Sequence, residues 1–255
     1  MLRIHHIRNA TMAIETEKEV ILVDPMLGPA GSFPPFTFIR HKPRKNPVVP
    51  FPEDSRKVLD KVTHCLITHR HIDHLDGEGE AFLKKRAIPV TCSVKDEELF
   101  RKKGLNVTQA LAYRKPAAYL GGTIEGIPAR HGYGIVYKMM GNVMGFLIRL
   151  PGQPSIYVSS DTIYTDEVKR VLEEERPDIS VVAAGGARMD ILQPLLMRKE
   201  DVIRFVRDAP GKVIANHLEA VNHCPVSREE LGGDLNRMGL HGKALIPADG
   251  EIMRF

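Results

Sequence analysis

The sequence predicts an α/β protein whose strands and helices are arranged in layers. Short apolar segments typical of strands cluster early in the chain, strands alternate with helices later, and several apolar segments end in histidine or aspartate. With 255 residues, 43% hydrophobic and 27% charged, the chain can bury a sizeable core. We therefore expect one domain spanning residues 1–255.

The first 25 residues are predicted to form three strands. The segments LRIHHI, TMAIET and EVILVDP are rich in β-branched and apolar residues, and a short polar turn at Glu17 and Lys18 separates the last two. Asp24 follows directly on the third apolar run.

Residues 26–55 are predicted to form a long, proline-rich loop. Eight of the eighteen prolines lie between Pro25 and Pro52, and proline removes backbone donors and interrupts helices and strands. Loops of this length are often lids or binding loops. A surface excursion without a role is the alternative.

The remainder of the chain is predicted to alternate strands with helices. Strands are expected at residues 62–69, 123–132, 142–150, 155–161, 179–186, 212–217, 244–250 and 251–255. Helices are expected at residues 94–104, 166–177, 199–209 and 227–239. Thr165 or Asp166 caps the second helix, Pro177 ends it, and Ser227 with Glu230 forms a capping box in the last.

The segment CLITHRHIDHLDGEG, residues 65–79, holds three of the eleven histidines within six positions. His69 and His71 share one face of an extended chain, whereas Asp73 and His74 lie in the turn that follows. One such segment can supply ligands to two adjacent metal ions, because imidazole and carboxylate are the usual donors for zinc and related metals. Polar residues are common after strands, but an ordinary turn favours Ser, Asn, Gly and Lys over three imidazoles.

The stretch THRHIDHLDG resembles the T-H-x-H-x-D-H signature of the metallo-β-lactamase superfamily. The resemblance extends over nearly the whole chain, from about residue 2 to residue 220. It implies a four-layer αββα sandwich with a binuclear metal site at one edge of the paired sheets. It also implies an early aspartate, a third histidine, a bridging aspartate and a last histidine, in that order.

Each implied residue has a counterpart after an apolar strand: Asp24 in ILVDP, His131 in IPARHG, Asp161 in IYVSSDT and His217 in VIANHLEA. By resemblance, Asp24 supports the site without binding metal, and Asp161 bridges two ions. The resemblance implies that one ion is held by His69, His71 and His131, and the other by Asp73, His74 and His217.

The expected activity is that of a binuclear metal-dependent hydrolase. Two neighbouring ions can share a water and lower its pKa, so that a bridging hydroxide attacks a small-molecule lactone, ester or phosphoester. Asp73 is the candidate catalytic residue, steering the hydroxide proton. Zinc is the expected metal, with manganese, iron and nickel as alternatives.

Several phrases, including PARHG, SSDT and NHLEAVNHC, resemble the branch that contains cytoplasmic L-ascorbate-6-phosphate lactonases and phospholipase-D-type N-acyl-phosphatidylethanolamine hydrolases. Flavin-dependent di-iron reductases need glutamate where this chain has His71. Secreted zinc β-lactamases place a cysteine at the second metal, whereas the late motif here carries Asp161.

Candidate substrate contacts include His223 and Arg188, together with the basic side chains of the proline-rich loop, among them Arg40 and His41. Folded over the site, these cations would receive a phosphate or carboxylate, so an anionic substrate is one expectation. Solvated side chains with no specific role are an equal alternative. Phe36 would either cover an apolar group or anchor the loop.

Two other functions stay open. A ribonuclease or phosphodiesterase of the same superfamily would need an extended basic surface, and the net charge of +4 is modest, so nucleic acid is not the expected partner. A non-catalytic metal-binding protein would be expected to have lost ligands. The N-terminus has no apolar leader, and Cys65, Cys92 and Cys224 suggest no disulfide framework, so a cytoplasmic location is expected. The oligomeric state is not predicted.

Overall fold

The computed structural model describes residues 1–255 and contains two seven-stranded sheets. In chain order the strands are β1 (Arg3–Arg8), β2 (Thr11–Glu15), β3 (Val20–Val23), β4 (His64–Leu66), β5 (Val90–Ser93), β6 (Val107–Leu111), β7 (Ala117–Tyr119), β8 (Gly122–Pro128), β9 (Met144–Arg149), β10 (Ile156–Val158), β11 (Ile179–Ala183), β12 (Lys212–Asn216), β13 (Ala244–Leu245) and β14 (Ile252–Arg254).

Six α-helices flank the sheets. They are α1 (Arg56–Leu59), α2 (Gly77–Lys85), α3 (Glu97–Lys102), α4 (Asp166–Arg170), α5 (Lys199–Asp208) and α6 (Arg228–Arg237). Short 3-10 turns lie at Glu53–Ser55 and Val136–Lys138, and α4 continues into a π-helical turn at Val171–Glu175. The longest helices have ten residues, and none combines the length and apolarity needed to cross a bilayer.

The two sheets share one plan, half antiparallel and half parallel. The first has the order β14-β1-β2-β3-β4-β5-β6, antiparallel as far as β3 and parallel from β3 onward. The second has the order β13-β12-β11-β10-β9-β8-β7, parallel from β13 to β10 and antiparallel beyond. The parallel strands of each sheet therefore end at a common edge.

Three hydrophobic clusters separate four layers. Between the sheets, Ile14 and Val23 of the first pack with Phe146 and Val181 of the second. A second cluster joins the outer face of the second sheet to α4, α5 and α6. A third joins the first sheet to α1, α2 and α3. The predicted αββα sandwich is confirmed.

The proline-rich loop between β3 and Glu53 contains no helix and only one isolated strand pairing, between Phe33 and Asn46. Arg8 fastens its beginning and its end. This fully buried side chain donates through Nη2 to the carbonyl of Met26 at 3.1 Å and through Nη1 to that of Val49 at 3.2 Å. The loop is therefore an ordered part of the fold.

Gly79 allows α2 to pack against the chain that leaves β3. A Cβ at this position would lie 1.9 Å from the carbonyl oxygen of Pro25, whereas a Cβ at Gly77 in the same helix would meet nothing within 4 Å. We expect Gly79→Ala to lower the free energy of unfolding by about 1–3 kcal/mol or more, because backbone must move to admit the methyl group.

Gly77→Ala is the matched control, and its effect should stay within about 1 kcal/mol because alanine favours helix over glycine. Urea denaturation of both variants measures the difference. Equal stability of the two variants would contradict the close approach of α2 to Pro25.

Candidate metal centre

The candidate ligands all follow strands whose carboxyl ends point to one edge of the sandwich. These strands are β3, β4, β8, β10 and β12. Their following residues are Asp24, the 69–74 segment, His131, Asp161 and His217. Because rigid strands deliver each of these segments to the same edge, their side chains can converge.

Left-handed backbone marks three of these strand ends. Asp24, Ser160 and His217 have φ values of 47°, 60° and 58°. Non-glycine residues seldom adopt this region, and it occurs most often where a tight turn must re-aim a side chain. Here the chain turns directly after the strand, which points Asp24, Asp161 and His217 toward one another.

His69, His71 and His131 form the first ligand group, in which one ligand atom from each lies within 4.8 Å of the others. The Nε2 atom of His69 lies 3.0 Å from Nδ1 of His71. Burial lowers the pKa of His71 to about 4 and also lowers the pKa of His69 and of His131. The rings are therefore neutral and offer lone pairs, as metal ligation requires.

Asp73, His74 and His217 form the second ligand group, again with ligand atoms within 4.8 Å of one another. The Nε2 atom of His217 lies 3.3 Å from Oδ2 of Asp73 and 3.2 Å from Nε2 of His74. All three side chains are buried.

Asp161 lies between the two ligand groups. Its Oδ2 is 3.4 Å from Nε2 of His131 and 3.7 Å from Nε2 of His217. Its Oδ1 is 3.2 Å from Nε2 of His74 but accepts no hydrogen bond, although the atom is buried. Asp161 thus contacts members of both ligand groups.

Asp24 lies behind His74 rather than among the ligand atoms. Its Oδ1 accepts a hydrogen bond from the Thr68 backbone N–H at 2.8 Å, and its Oδ2 accepts from Thr68 Oγ1 at 2.7 Å and lies 2.8 Å from His74 Nδ1. Burial lowers the pKa of His74, but the carboxylates of Asp161 and Asp24 outweigh it and raise that pKa to about 10. Asp24 therefore orients this ring.

Other supports were not foreseen from the sequence. The Leu195 carbonyl lies 3.0 Å from His131 Nδ1, and Cys224 Sγ lies 3.5 Å from His217 Nδ1. Asn9 donates its side-chain amide to the Asp73 carbonyl at 2.9 Å, and its own carbonyl accepts the His217 N–H at 2.9 Å. The contacts of Leu195 and Cys224 fix which ring nitrogen faces the site, and Asn9 ties the backbone of Asp73 to that of His217.

The charge balance of the cluster fits divalent cations. The carboxylates of Asp24, Asp73 and Asp161 are buried, and their ionic partners are histidines alone. A buried negative charge is costly unless it is paired or binds metal. Imidazole nitrogens and carboxylate oxygens are also the donors that zinc and similar ions accept.

A cavity of about 210 Å³ opens onto both ligand groups. Its lining residues are Phe36, His71, Ile72, Asp73, His131, Met140, Asp161, Met189, Leu195 and His223. Of the candidate substrate contacts, His223 lines this cavity, whereas Arg188 and His41 do not.

Residues 19–217 match the family described as the beta-lactamase superfamily domain. The chain belongs to this superfamily. The UPF0173 protein YddR of Bacillus subtilis (strain 168) is 30% identical over 256 residues, 100% of both chains. A UPF0173 metal-dependent hydrolase of Cereibacter sphaeroides (strain ATCC 17029) is 30% identical over 196 residues, which cover 72% of this chain and 74% of the relative.

Two solved structures of this superfamily fold resemble the chain over almost its full length. An isothiocyanate hydrolase from Delia radicum gut bacteria superposes with a TM-score of 0.89 at 28% identity and covers 99% of both chains. A possible metal-dependent hydrolase from Veillonella parvula superposes with a TM-score of 0.90 at 25% identity, again over 99% of both chains. The relatives place the chain among the superfamily's metal-dependent hydrolases, and the lactonase branch stays a prediction.

Proposed function

We propose that the chain is a binuclear metal-dependent hydrolase of small molecules. The observation that carries this proposal is the convergence of seven ligand-type side chains from several strand ends beside one cavity. The relatives described as metal-dependent hydrolases support it.

In this proposal the first ligand group would hold one ion, the second group would hold the other, and Asp161 would contribute a carboxylate oxygen to each. Zinc suits the donor set, with manganese, iron and nickel as alternatives. When bound, such ions acidify water and polarise the bond under attack.

The protein's own residues position the reaction. Asp24 and the Leu195 carbonyl hold the rings of His74 and His131 in one orientation. Asp73 lines the cavity and faces His217, so its carboxylate is placed to direct a proton of the attacking water. His223 lines the same cavity, where its ring would contact the substrate.

An isothiocyanate is the first substrate to test, because a close structural relative is an isothiocyanate hydrolase. In this reaction the water oxygen bonds to the central carbon, the carbon–nitrogen bond breaks, and the nitrogen takes both protons. The products are an amine and carbonyl sulfide. Lactones, esters and phosphoesters are the further classes that the sequence predicts.

The test is metal removal from purified protein. Chelation followed by dialysis is expected to abolish amine release from benzyl isothiocyanate, or turnover of a lactone, ester or phosphoester panel, and returning zinc or manganese should restore it. Metal content is measured by elemental analysis before and after chelation.

Full turnover by protein shown to be metal-free would contradict the proposal. Turnover of RNA alone would favour the ribonuclease alternative. Bound metal without turnover of any panel member would favour a non-catalytic metal-binding protein.

A further inference from the structure

The cavity wall facing the ligand groups is apolar and carries no cation. It is formed by Phe36, Ile72, Met140, Met189 and Leu195, and neither lysine nor arginine is among the lining residues. A charged group at the far end of a substrate would lie desolvated against this wall without a partner, which is costly. An apolar group there would be stabilised by burial.

The arginines near the site do not line the cavity. The Arg40 guanidinium donates to the carbonyls of Met189 at 2.8 Å and Asp190 at 3.1 Å. Arg130 stacks over Tyr137, with its guanidinium carbon 4.4 Å from the ring centroid. Arg188 lines a separate surface cleft. The expected reach of Arg40 and Arg188 into the site is therefore absent from this structure.

Phe36 is the loop residue that enters the cavity wall. Its ring meets that of His223 edge-to-face at a centroid distance of 4.6 Å. Its backbone N–H donates to Asn222 Oδ1 at 2.9 Å, and Asn222 Nδ2 donates to the carbonyl of Thr37 at 2.9 Å. The Asn222 side chain therefore anchors the loop backbone at both Phe36 and Thr37.

Asp190 fastens the next turn of the same loop. Its carboxylate accepts the backbone N–H groups of Phe38, Ile39 and Arg40 at 2.8, 2.9 and 2.8 Å. It also accepts the hydroxyl of Thr37. The loop is thus held over the cavity by contacts to two other loops, with Phe36 inward and Phe38 outward, 60% exposed.

We infer that this site selects uncharged substrates carrying a compact apolar group, and that Phe36 is the residue that sets the selectivity. The inference rests on the proposed function and narrows its substrate class. The apolar group lies against Phe36, Met140 and Met189 while the reacting atoms face the ligand groups. His223, packed on the ring of Phe36, forms the boundary between the two regions.

The test compares Phe36→Ala with Phe38→Ala, the same change in the same loop. Substrates are benzyl isothiocyanate and its para-carboxylate. The wild type should prefer the neutral member by about tenfold or more in kcat/KM. Phe36→Ala should raise KM for benzyl isothiocyanate by about tenfold and reduce the ratio of the two kcat/KM values. Phe38→Ala should leave that KM and that ratio within about twofold of wild type, because Phe38 is exposed.

Binding is measured separately from turnover, with the unreactive probes N-benzylformamide and its para-carboxylate in ligand-observed NMR on the metal-loaded protein. Wild type should bind the neutral probe more tightly, and Phe36→Ala should lose that difference. Phe36→Leu, which keeps an apolar side chain, replaces the alanine variant if the latter loses metal or melts early.

Equal binding of both probes by wild type, or equal effects of the two alanine variants, would overturn the inference. Absence of turnover on every substrate, with the neutral probe still preferred, would instead refute the proposed hydrolase and leave the cavity's selectivity standing.

Discussion

Replacing Asp161 with asparagine is expected to lower metal content from two ions toward one and to reduce kcat/KM by more than about 100-fold. Replacing a residue that only hydrogen-bonds to a metal ligand typically lowers activity or metal affinity by roughly 10–100-fold. The effect of Asp161→Asn should be larger, because Asp161 contacts both ligand groups. Its carboxylate oxygens lie 3.2–3.7 Å from ring nitrogens of His74, His131 and His217. Asparagine keeps the size but loses the charge and directs N–H groups at those nitrogens.

Asp166→Asn is the control, since Asp166 is exposed at the start of α4, five residues further along the chain. It should leave metal content unchanged and kcat/KM within about twofold. Elemental analysis, a competition assay with a chromophoric chelator and steady-state kinetics make the comparison. Two ions retained by Asp161→Asn at unchanged affinity would refute the bridging role.

The ligands at residues 69–74 were accessible from the sequence because three imidazoles follow one apolar run. His131, Asp161 and His217 were found through the order of motifs that the superfamily resemblance implies. His69, His71 and His74 crowd one turn, and Asp161 and His217 each end another strand. The structure brings all of them together.

The residues that support the ligands, such as Asn9 and Cys224, could not be predicted from the sequence, because their contacts depend on how the whole chain folds. Asn9 and Asp73 are 64 residues apart in the chain, and Asn9 carries no local signal of its role. Cys224 meets His217 only because both follow β12 into the same loop. Long-range topology, rather than residue type, selects such partners.

Some observed strands and helices differ in extent from the predicted ones. A strand was predicted for residues 62–69, but β4 ends at Leu66, because the Thr68 N–H donates to the Asp24 carboxylate instead of to a neighbouring strand. Helix α2 was not predicted, since Gly77 and Gly79 lower its helix propensity.

The capping box predicted at Ser227 is half formed. Ser227 accepts the backbone N–H of Glu230 at 3.0 Å, but the Glu230 carboxylate pairs with Lys199 at 2.5 Å. A tertiary ion pair between α5 and α6 thus takes the place of the reciprocal contact that the local sequence favours.

The sequence also could not predict which way the side chains of the proline-rich loop point. The basic run after Phe38 suggested contacts to an anionic substrate. Asp190, 150 residues further along, takes the backbone N–H of Arg40, and the Arg40 guanidinium binds carbonyls beside it. An acidic residue in a distant loop therefore holds Arg40 away from the cavity.

Replacing Asp24 with asparagine is expected to weaken metal binding by about 10–100-fold without unfolding the protein. Asparagine tolerates the left-handed backbone at this position, where φ is 47°. Its single amide oxygen can still accept one of the two hydrogen bonds from Thr68, but it no longer provides a carboxylate 2.8 Å from His74 Nδ1. His74 then loses the anion that orients its ring toward Asp73 and His217, the other members of its ligand group.

Asp178→Asn is the control for the contact between Asp24 and His74. Asp178 accepts the backbone N–H and the hydroxyl of Ser155, both at 2.7 Å, as Asp24 accepts the same two groups of Thr68. Asp178 is exposed, directly precedes β11, and has no histidine partner. Asp24→Asn should cost more in urea denaturation of metal-free protein than Asp178→Asn, because Asp24 is buried and also pairs with His74. The competition assay should then separate them, with only Asp24→Asn losing affinity. Equal affinity losses would mean that Asp24 acts through the local backbone, and unchanged affinity in both would remove it from the metal centre.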